Sequence, residues 1–253
     1  MKKRVLIKIG SNTLTKETNQ ISRGKIEDIG RQIALLKEEY EFILVSSGAI
    51  ATAKQFVKLE HNGQEIDVKQ ALAAIGQPRL MHIFQESFRE LGLFTSQCLF
   101  SYSDLENEKA RVNIENTINV LLANDVIPII NENDTVATDE IKFGDNDKLA
   151  ALTAAFLKAD LLLIATNTDG IYTKESLDGK LPETIQEVAS ITDLGKEVSS
   201  VKSSHGTGGM QSKIEAASIA QKAGIETWIV NGLKDNFIMD SFQDKIHFTK
   251  IKV

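Results

Sequence analysis

Short apolar runs alternate along this chain with segments in which apolar residues recur every three or four positions, and that alternation narrows the possible folds more than any other feature. Residues 5–9, 42–45, 94–100, 126–130, 161–165 and 227–230 have the length and composition of strands. Between them, Ile26, Ile29, Ile33, Leu36 and Tyr40 mark an amphipathic helix over 21–40, with Ser22 as a candidate cap. Ile114, Ile118, Leu121 and Leu122 mark another, and Leu149, Leu152, Ala155 and Phe156 a third. Met210, Ile214, Ala217 and Ala220 form a fourth stripe, which stops at Gly224. Alternating β and α units imply a mostly parallel sheet covered on both faces, so the expected fold class is α/β, a three-layer sandwich around a central sheet.

Some stretches fit this pattern less well. Gly76-Gln77-Pro78 is expected to break the helical pattern that runs through 70–74 and resumes over 80–91. Residues 54–68 are polar and resist assignment, and residues 174–204 read as a flap-like surface excursion with turns and a weak helix. With three prolines and no Ser/Gly-rich linker, the 253 residues read as one continuous domain.

Composition excludes several classes of function. A net charge of -6 argues against general nucleic-acid binding, which needs clustered Lys and Arg. No apolar run approaches the length of a membrane span, and Lys8 interrupts an N-terminal apolar stretch too short for a signal peptide. A single cysteine, Cys98, allows no internal disulfide and favours a reducing compartment, the cytoplasm by default. His61, His82, His205 and His247 are scattered without metal-ligand spacing, so a zinc site is not expected, and no Gly-x-Ser-x-Gly elbow is present.

The groups able to grip a small polar molecule concentrate between Asn131 and Asp147, which follow the strand-like run 126–130 and precede a helical pattern from about Lys148. In an open α/β sheet, loops beyond the carboxyl ends of strands line the ligand crevice. Asn and Asp also form ordinary turns and caps, but seven of them in one such loop suit a polar ligand better. Lys8 sits inside the first strand, either as an edge-strand lysine with its head in water or as a charge aimed into a cleft. Ser46-Ser47-Gly48 is a small-residue turn that can cap a helix or admit a ligand to the backbone. Gly206-Thr207-Gly208-Gly209-Met210-Gln211-Ser212-Lys213 opens a helix with glycines, hydroxyls and a lysine one turn in, as a phosphate cradle would, although a surface loop has the same composition. It is not a Walker A loop, because Gln211 and Ser212 stand where that pattern needs Gly and Lys.

Taken together, Val5-Leu6-Ile7-Lys8-Ile9-Gly10-Ser11, Val45-Ser46-Ser47-Gly48-Ala49-Ile50, Asn131-Glu132-Asn133-Asp134, Phe143-Gly144-Asp145-Asn146-Asp147 and Gly206-Thr207-Gly208-Gly209-Met210 resemble the glutamate 5-kinases, of the amino-acid kinase fold, in order and spacing. The resemblance implies transfer of the γ-phosphoryl group of ATP to the side-chain carboxylate of L-glutamate, the first step of proline synthesis. It assigns catalysis to Lys8, Lys213 and Asp147, with the aspartate organising the two lysines. Asp134 would take the substrate ammonium, and Asn146 and Ser47 its carboxylates. Lys8, Thr166, Asn167, Thr207, Gly208, Gly209, Met210, Gln211, Ser212 and Lys213 would hold ATP, with Mg2+ carried on the phosphates and no protein ligand assigned to it. Feedback inhibition by proline and a homo-oligomer are further expectations from the family. Two departures limit the carry-over: Thr166-Asn167 stands where the family usually has Thr-Asp, and the sequence ends at Val253 without the RNA-binding-type C-terminal PUA domain of many members. The alternatives are a kinase of the same superfamily acting on acetylglutamate, uridylate or carbamate, and a non-catalytic amino-acid sensor.

Overall fold

A computed structural model describes residues 2–16, 18, 20–60, 65–137, 146–173, 183–194 and 209–253. In chain order the elements are β1 (Lys3–Ile9), α1 (Ser11–Thr15), α2 (Arg23–Leu36), β2 (Tyr40–Ser46), α3 (Ala49–Ala53), α4 (Glu65–Arg89), β3 (Phe94–Phe100), α5 (Tyr102–Glu106), α6 (Glu108–Ala123) and β4 (Val126–Glu132). They continue with α7 (Asp147–Phe156), β5 (Leu161–Thr166), β6 (Glu187–Val188), α8 (Ile191–Leu194), α9 (Met210–Lys222), β7 (Glu226–Asn231), α10 (Phe237–Phe242) and β8 (Thr249–Ile251). The eight described strands form one sheet in the order β3-β4-β2-β1-β5-β7-β8-β6. Every strand pair is parallel except β7 with β8. The expected mostly parallel α/β architecture is what the structure has.

Strand geometry sorts the core into two layers, because alternate side chains leave a strand on opposite faces. Val5, Ile7 and Ile9 of β1 join Phe42, Leu44 and Leu163 under α2, α4 and α10. Leu6 joins Ile43, Val45, Leu162 and Ile164 under α6, α7 and α9. Lys8 has the parity of Leu6, so the pleat directs it toward the α7 and α9 side. β1 also has parallel partners on both edges, β2 and β5. The edge-strand reading of Lys8 is therefore wrong: it lies in a central strand and is 2% exposed. After β1 the chain forms β2 beside it, crosses to the edge strand β3, places β4 between β3 and β2, and then moves to β5 on the opposite side of β1. The carboxyl end of β1 is thus a topological switch point, where open α/β sheets leave a crevice.

Two other expectations need correction. Gly76-Gln77-Pro78 does not break a helix; α4 runs unbroken from Glu65 to Arg89 with Pro78 inside it. Proline removes the bond to the carbonyl four residues back, here Ala74, and both Ala74 and Pro78 face outward, where water can serve that carbonyl. Part of the supposed surface excursion is core. Val188, Ile191 and Leu194 pack with Ile171, Ile214, Ala217, Ile229 and Ile251 in a satellite cluster, and β6 pairs with β8. Residues 174–182 and 195–204 of that excursion, and 61–64 of the unassigned segment, lie outside the described residues.

Candidate functional site

Three buried charges meet at the end of β1. Asp147, the first residue of α7, is fully buried; Lys8 Nζ lies 2.6 Å from its Oδ1 and Lys213 Nζ 3.0 Å from its Oδ2. Ser212 Oγ donates to Asp147 Oδ2 at 2.9 Å. The aspartate stands in the first turn of α7, where the helix dipole favours an anion. Burial pushes the Asp147 carboxyl up, but the Lys8 and Lys213 ammonium groups and their hydrogen bonds outweigh it and hold the carboxyl well below the usual carboxylate range. Among the described residues two ammonium groups share this one carboxylate, in a site nearly closed to water. Such a place favours an incoming anion, above all one whose charge grows during reaction.

Around this triad lies a network of uncharged polar groups. Asn146 Nδ2 donates to Asn131 Oδ1 at 2.7 Å, to the Ser46 carbonyl at 3.1 Å and to Ser47 Oγ at 3.3 Å. Ser47 is fixed by its own backbone N–H, which donates to the Ile9 carbonyl at 3.0 Å. Gly48 follows at φ 113°, a left-handed conformation that favours glycine, and lets α3 start at once. The close approach of α3 to α4 depends on Gly76, where a Cβ would fall 1.8 Å from the Ala49 carbonyl oxygen.

Asp134, in the turn after β4, is 7% exposed, and its Oδ1 has no hydrogen-bond partner among the described residues. Burial pushes its carboxyl up to about 6. It lines a cavity of about 170 Å3 together with Gln77, Gln97, Leu99, Glu132 and Thr135. A carboxylate placed in such a cavity with no counter-ion among the described residues suits a ligand that brings a cation.

On the other side of the switch point, Thr166 ends β5 and is buried, while Asn167 is exposed. Thr166 accepts from the Gly232 backbone N–H at 2.7 Å, tying the turn after β5 to the turn after β7. Gly209 precedes α9 in extended backbone, and no side chain among the described residues caps that helix. Met210, Gln211, Ser212 and Lys213 form its first turn, so backbone N–H groups and the helix dipole face the crevice end of the sheet beside the two lysines. That arrangement fits a polyphosphate. Thr207 and Gly208 of the Gly-rich motif, and Phe143, Gly144 and Asp145 of the acidic one, lie outside the described residues. Among the described residues no group of three or more His, Cys, Asp or Glu could hold a metal ion.

The structure brings Lys8, Asp147, Lys213 and Ser212 into contact and joins Asn146 to Ser47. Sequence reasoning missed Asn131, Gln77 and Gln97 as parts of the same network. In the turn after β5, Asp169 Oδ1 lies 2.6 Å from Lys234 Nζ and accepts from Asn231 Nδ2 at 2.9 Å. Asn131 opens the Asn-Glu-Asn-Asp motif and carried a signal, whereas Gln77 sat in the supposed helix break and carried none.

The profile described as the amino acid kinase family matches residues 3–231. A glutamate 5-kinase of Clostridium acetobutylicum is 42% identical over 239 residues, spanning 93% of this chain and 89% of that protein. Glutamate 5-kinases of Caldanaerobacter subterraneus and Vibrio campbellii are 42% and 40% identical over 93% and 97% of this chain, which spans 64% and 65% of their lengths. Among solved structures, the UMP kinase of Ureaplasma parvum superposes with a TM-score of 0.65 over the whole of both chains at 17% identity, a likeness of fold. The chain belongs to the amino acid kinase family, and the three relatives named above are glutamate 5-kinases.

Proposed function

We propose that the protein transfers the γ-phosphoryl group of ATP to the side-chain carboxylate of L-glutamate, giving L-glutamyl 5-phosphate and ADP, a step that opens proline synthesis. The observation that carries this reading is the pair of buried ammonium groups on one carboxylate, at the first turn of α9 and at the switch point of the sheet. A carboxylate oxygen of the substrate attacks the γ-phosphorus, and the bond from that phosphorus to the β,γ-bridging oxygen breaks. Both reactants are anions, so catalysis is mostly alignment and charge neutralisation. Lys8 and Lys213 supply that neutralisation, and Asp147 keeps two like charges close enough to act on one group. No general base is required, because the attacking carboxylate is already ionised at neutral pH. Magnesium, riding on the nucleotide phosphates, would add charge neutralisation of the same kind.

Asp134 binds the α-ammonium of glutamate, and Ser47 and Asn146 lie at the amino-acid end of the site. Thr166, Asn167 and the segment 207–213 hold the nucleotide. Proline, which shares the ammonium and α-carboxylate of glutamate, would compete for the same grip. The test is a panel of L-glutamate, N-acetyl-L-glutamate, UMP and carbamate with magnesium-ATP, scored by ADP release, with acyl phosphate trapped as hydroxamate. Hydroxamate from L-glutamate is expected. Turnover of another acceptor in its place would overturn the proposed substrate, and glutamate binding without ADP release would make the protein a sensor. Added proline is expected to raise the apparent KM for glutamate and leave kcat unchanged.

A further inference from the structure

The side-chain amides at the edge of the site form a directed chain. Asn146 Nδ2 donates to Asn131 Oδ1 at 2.7 Å, Asn131 Nδ2 to Gln77 Oε1 at 2.9 Å, and Gln77 Nε2 to Gln97 Oε1 at 3.1 Å. Amide oxygen and nitrogen are hard to tell apart by shape, so their assignment must come from neighbours of known polarity. Two backbone groups supply it. The Glu132 N–H donates to Asn131 Oδ1 at 2.9 Å, so the Asn131 oxygen faces that way and its nitrogen must face Gln77. The Ser46 carbonyl accepts from Asn146 at 3.1 Å, so the Asn146 nitrogen faces the strand ends. The NH2 of Asn146 is therefore directed at protein acceptors, and its Oδ1, buried and without a partner among the described residues, is what remains. A lone acceptor has the wrong polarity for a carboxylate and the right one for an ammonium.

We propose that Gln77, anchored by Gln97, is a positioning residue that locks the amides of Asn131 and Asn146 so that Asn146 presents its carbonyl oxygen to the ammonium of the substrate. This rests on the reading of the substrate as an amino acid. Gln77 is 8% exposed and lies on α4; it touches Asn131 directly and reaches Asn146 through Asn131. Gln97 is exposed on β3 and can turn its amide over at little cost.

That difference makes the test selective. Gln77→Leu keeps the bulk and removes both hydrogen bonds, leaving the Asn131 amide free to swing. Its KM for L-glutamate is expected to rise about tenfold, the equivalent of one good hydrogen bond, with kcat and the KM for ATP unchanged. Gln77→Glu keeps an oxygen for Asn131, and Gln97 can invert to donate to the second oxygen, so a KM within about threefold of wild type is expected. In Gln77→Glu combined with Gln97→Leu that rescue should disappear. Competition by glutarate, which lacks the ammonium, is expected to be equal in wild type and Gln77→Leu. A packing role predicts the reverse order, with leucine tolerated and glutamate damaging, and that result would overturn the proposal. So would a parallel loss of glutarate binding. If Gln77→Leu does not fold, the Gln77→Glu pair with and without Gln97→Leu decides alone, since equal KM values in the two exclude the relay. A wild-type chain that binds L-glutamate no better than glutarate removes the amino-acid reading and the relay with it.

Discussion

At the scale of single residues, Asp147 and its two lysines are a case where burial and pairing oppose one another and pairing prevails. Removing one member of a buried ion pair costs about 3–5 kcal/mol, because the remaining charge stays desolvated. Asp147→Asn would strand two ammonium groups, so we expect about 3 kcal/mol or more of lost stability by denaturant unfolding, together with loss of activity. Lys8→Ala leaves Asp147 paired with Lys213 and removes a repulsion between cations. It should unfold at a denaturant concentration closer to wild type than Asp147→Asn does, while kcat falls about a hundredfold or more. A Lys8→Ala chain less stable than Asp147→Asn, or one that keeps its turnover, would show that the triad does not work this way. Lys213→Ala should behave like Lys8→Ala, since each lysine occupies one oxygen of the same carboxylate.

At the scale of elements, the site depends on how closely α3 can cross α4. In an exposed helix Gly→Ala is worth up to about 1 kcal/mol of added stability. At Gly76 the new Cβ would overlap the Ala49 carbonyl and crowd the Ala53 backbone nitrogen, so one helix must move. Because α3 begins directly after Ser47 and Gly48, that movement displaces Ser47, which is proposed to lie at the amino-acid end of the site. Gly76→Ala is expected to cost about 1–3 kcal/mol and to raise the KM for L-glutamate more than that for ATP. A gain in stability, or equal change in both KM values, would sever α3 packing from substrate binding. The sequence could not have indicated this. Gly76 and Pro78 are strong local break signals, and the helix persists because Pro78 points outward and Gly76 inward against α3, neither of which a single-chain pattern reveals. Periodicity did place α2, α6, α7 and α9 and six of the eight described strands, because their apolar faces are continuous. β6 and β8 were missed because two or three residues give no pattern to read. The charged members of the site were legible through their motifs. The amides Gln77 and Gln97 were not, since a glutamine carries no sign of what it faces until the fold sets α4 beside β3 and β4.

At the scale of the whole molecule, the sheet divides at β1 into a half that carries Ser47, Asn131 and Asp134 and a half that carries Thr166 and α9, with Asp147 and Lys8 at the division. The first half holds Asp134, a buried carboxyl that no cation among the described residues pairs with, and that should appear in global stability. The Asp134 carboxyl titrates near 6 in the folded chain, against an ordinary 3.8. Between those values the folded state holds a proton that the unfolded chain has released, so stability falls as pH rises through this window. The favourable contribution is full below the ordinary value and lost above about pH 6, where the buried charge costs on the order of 2–3 kcal/mol. Asp134→Asn carries no such charge. It should therefore be more stable than wild type at pH 7.5 and indistinguishable from it near pH 4, measured by denaturant unfolding without ligand. L-glutamate, by bringing an ammonium to Asp134, should raise the wild-type melting temperature more at pH 7.5 than at pH 5 and have little effect on Asp134→Asn. A wild type and variant whose stabilities run parallel across this range would mean that Asp134 is balanced within the fold and is not held ready for a cation.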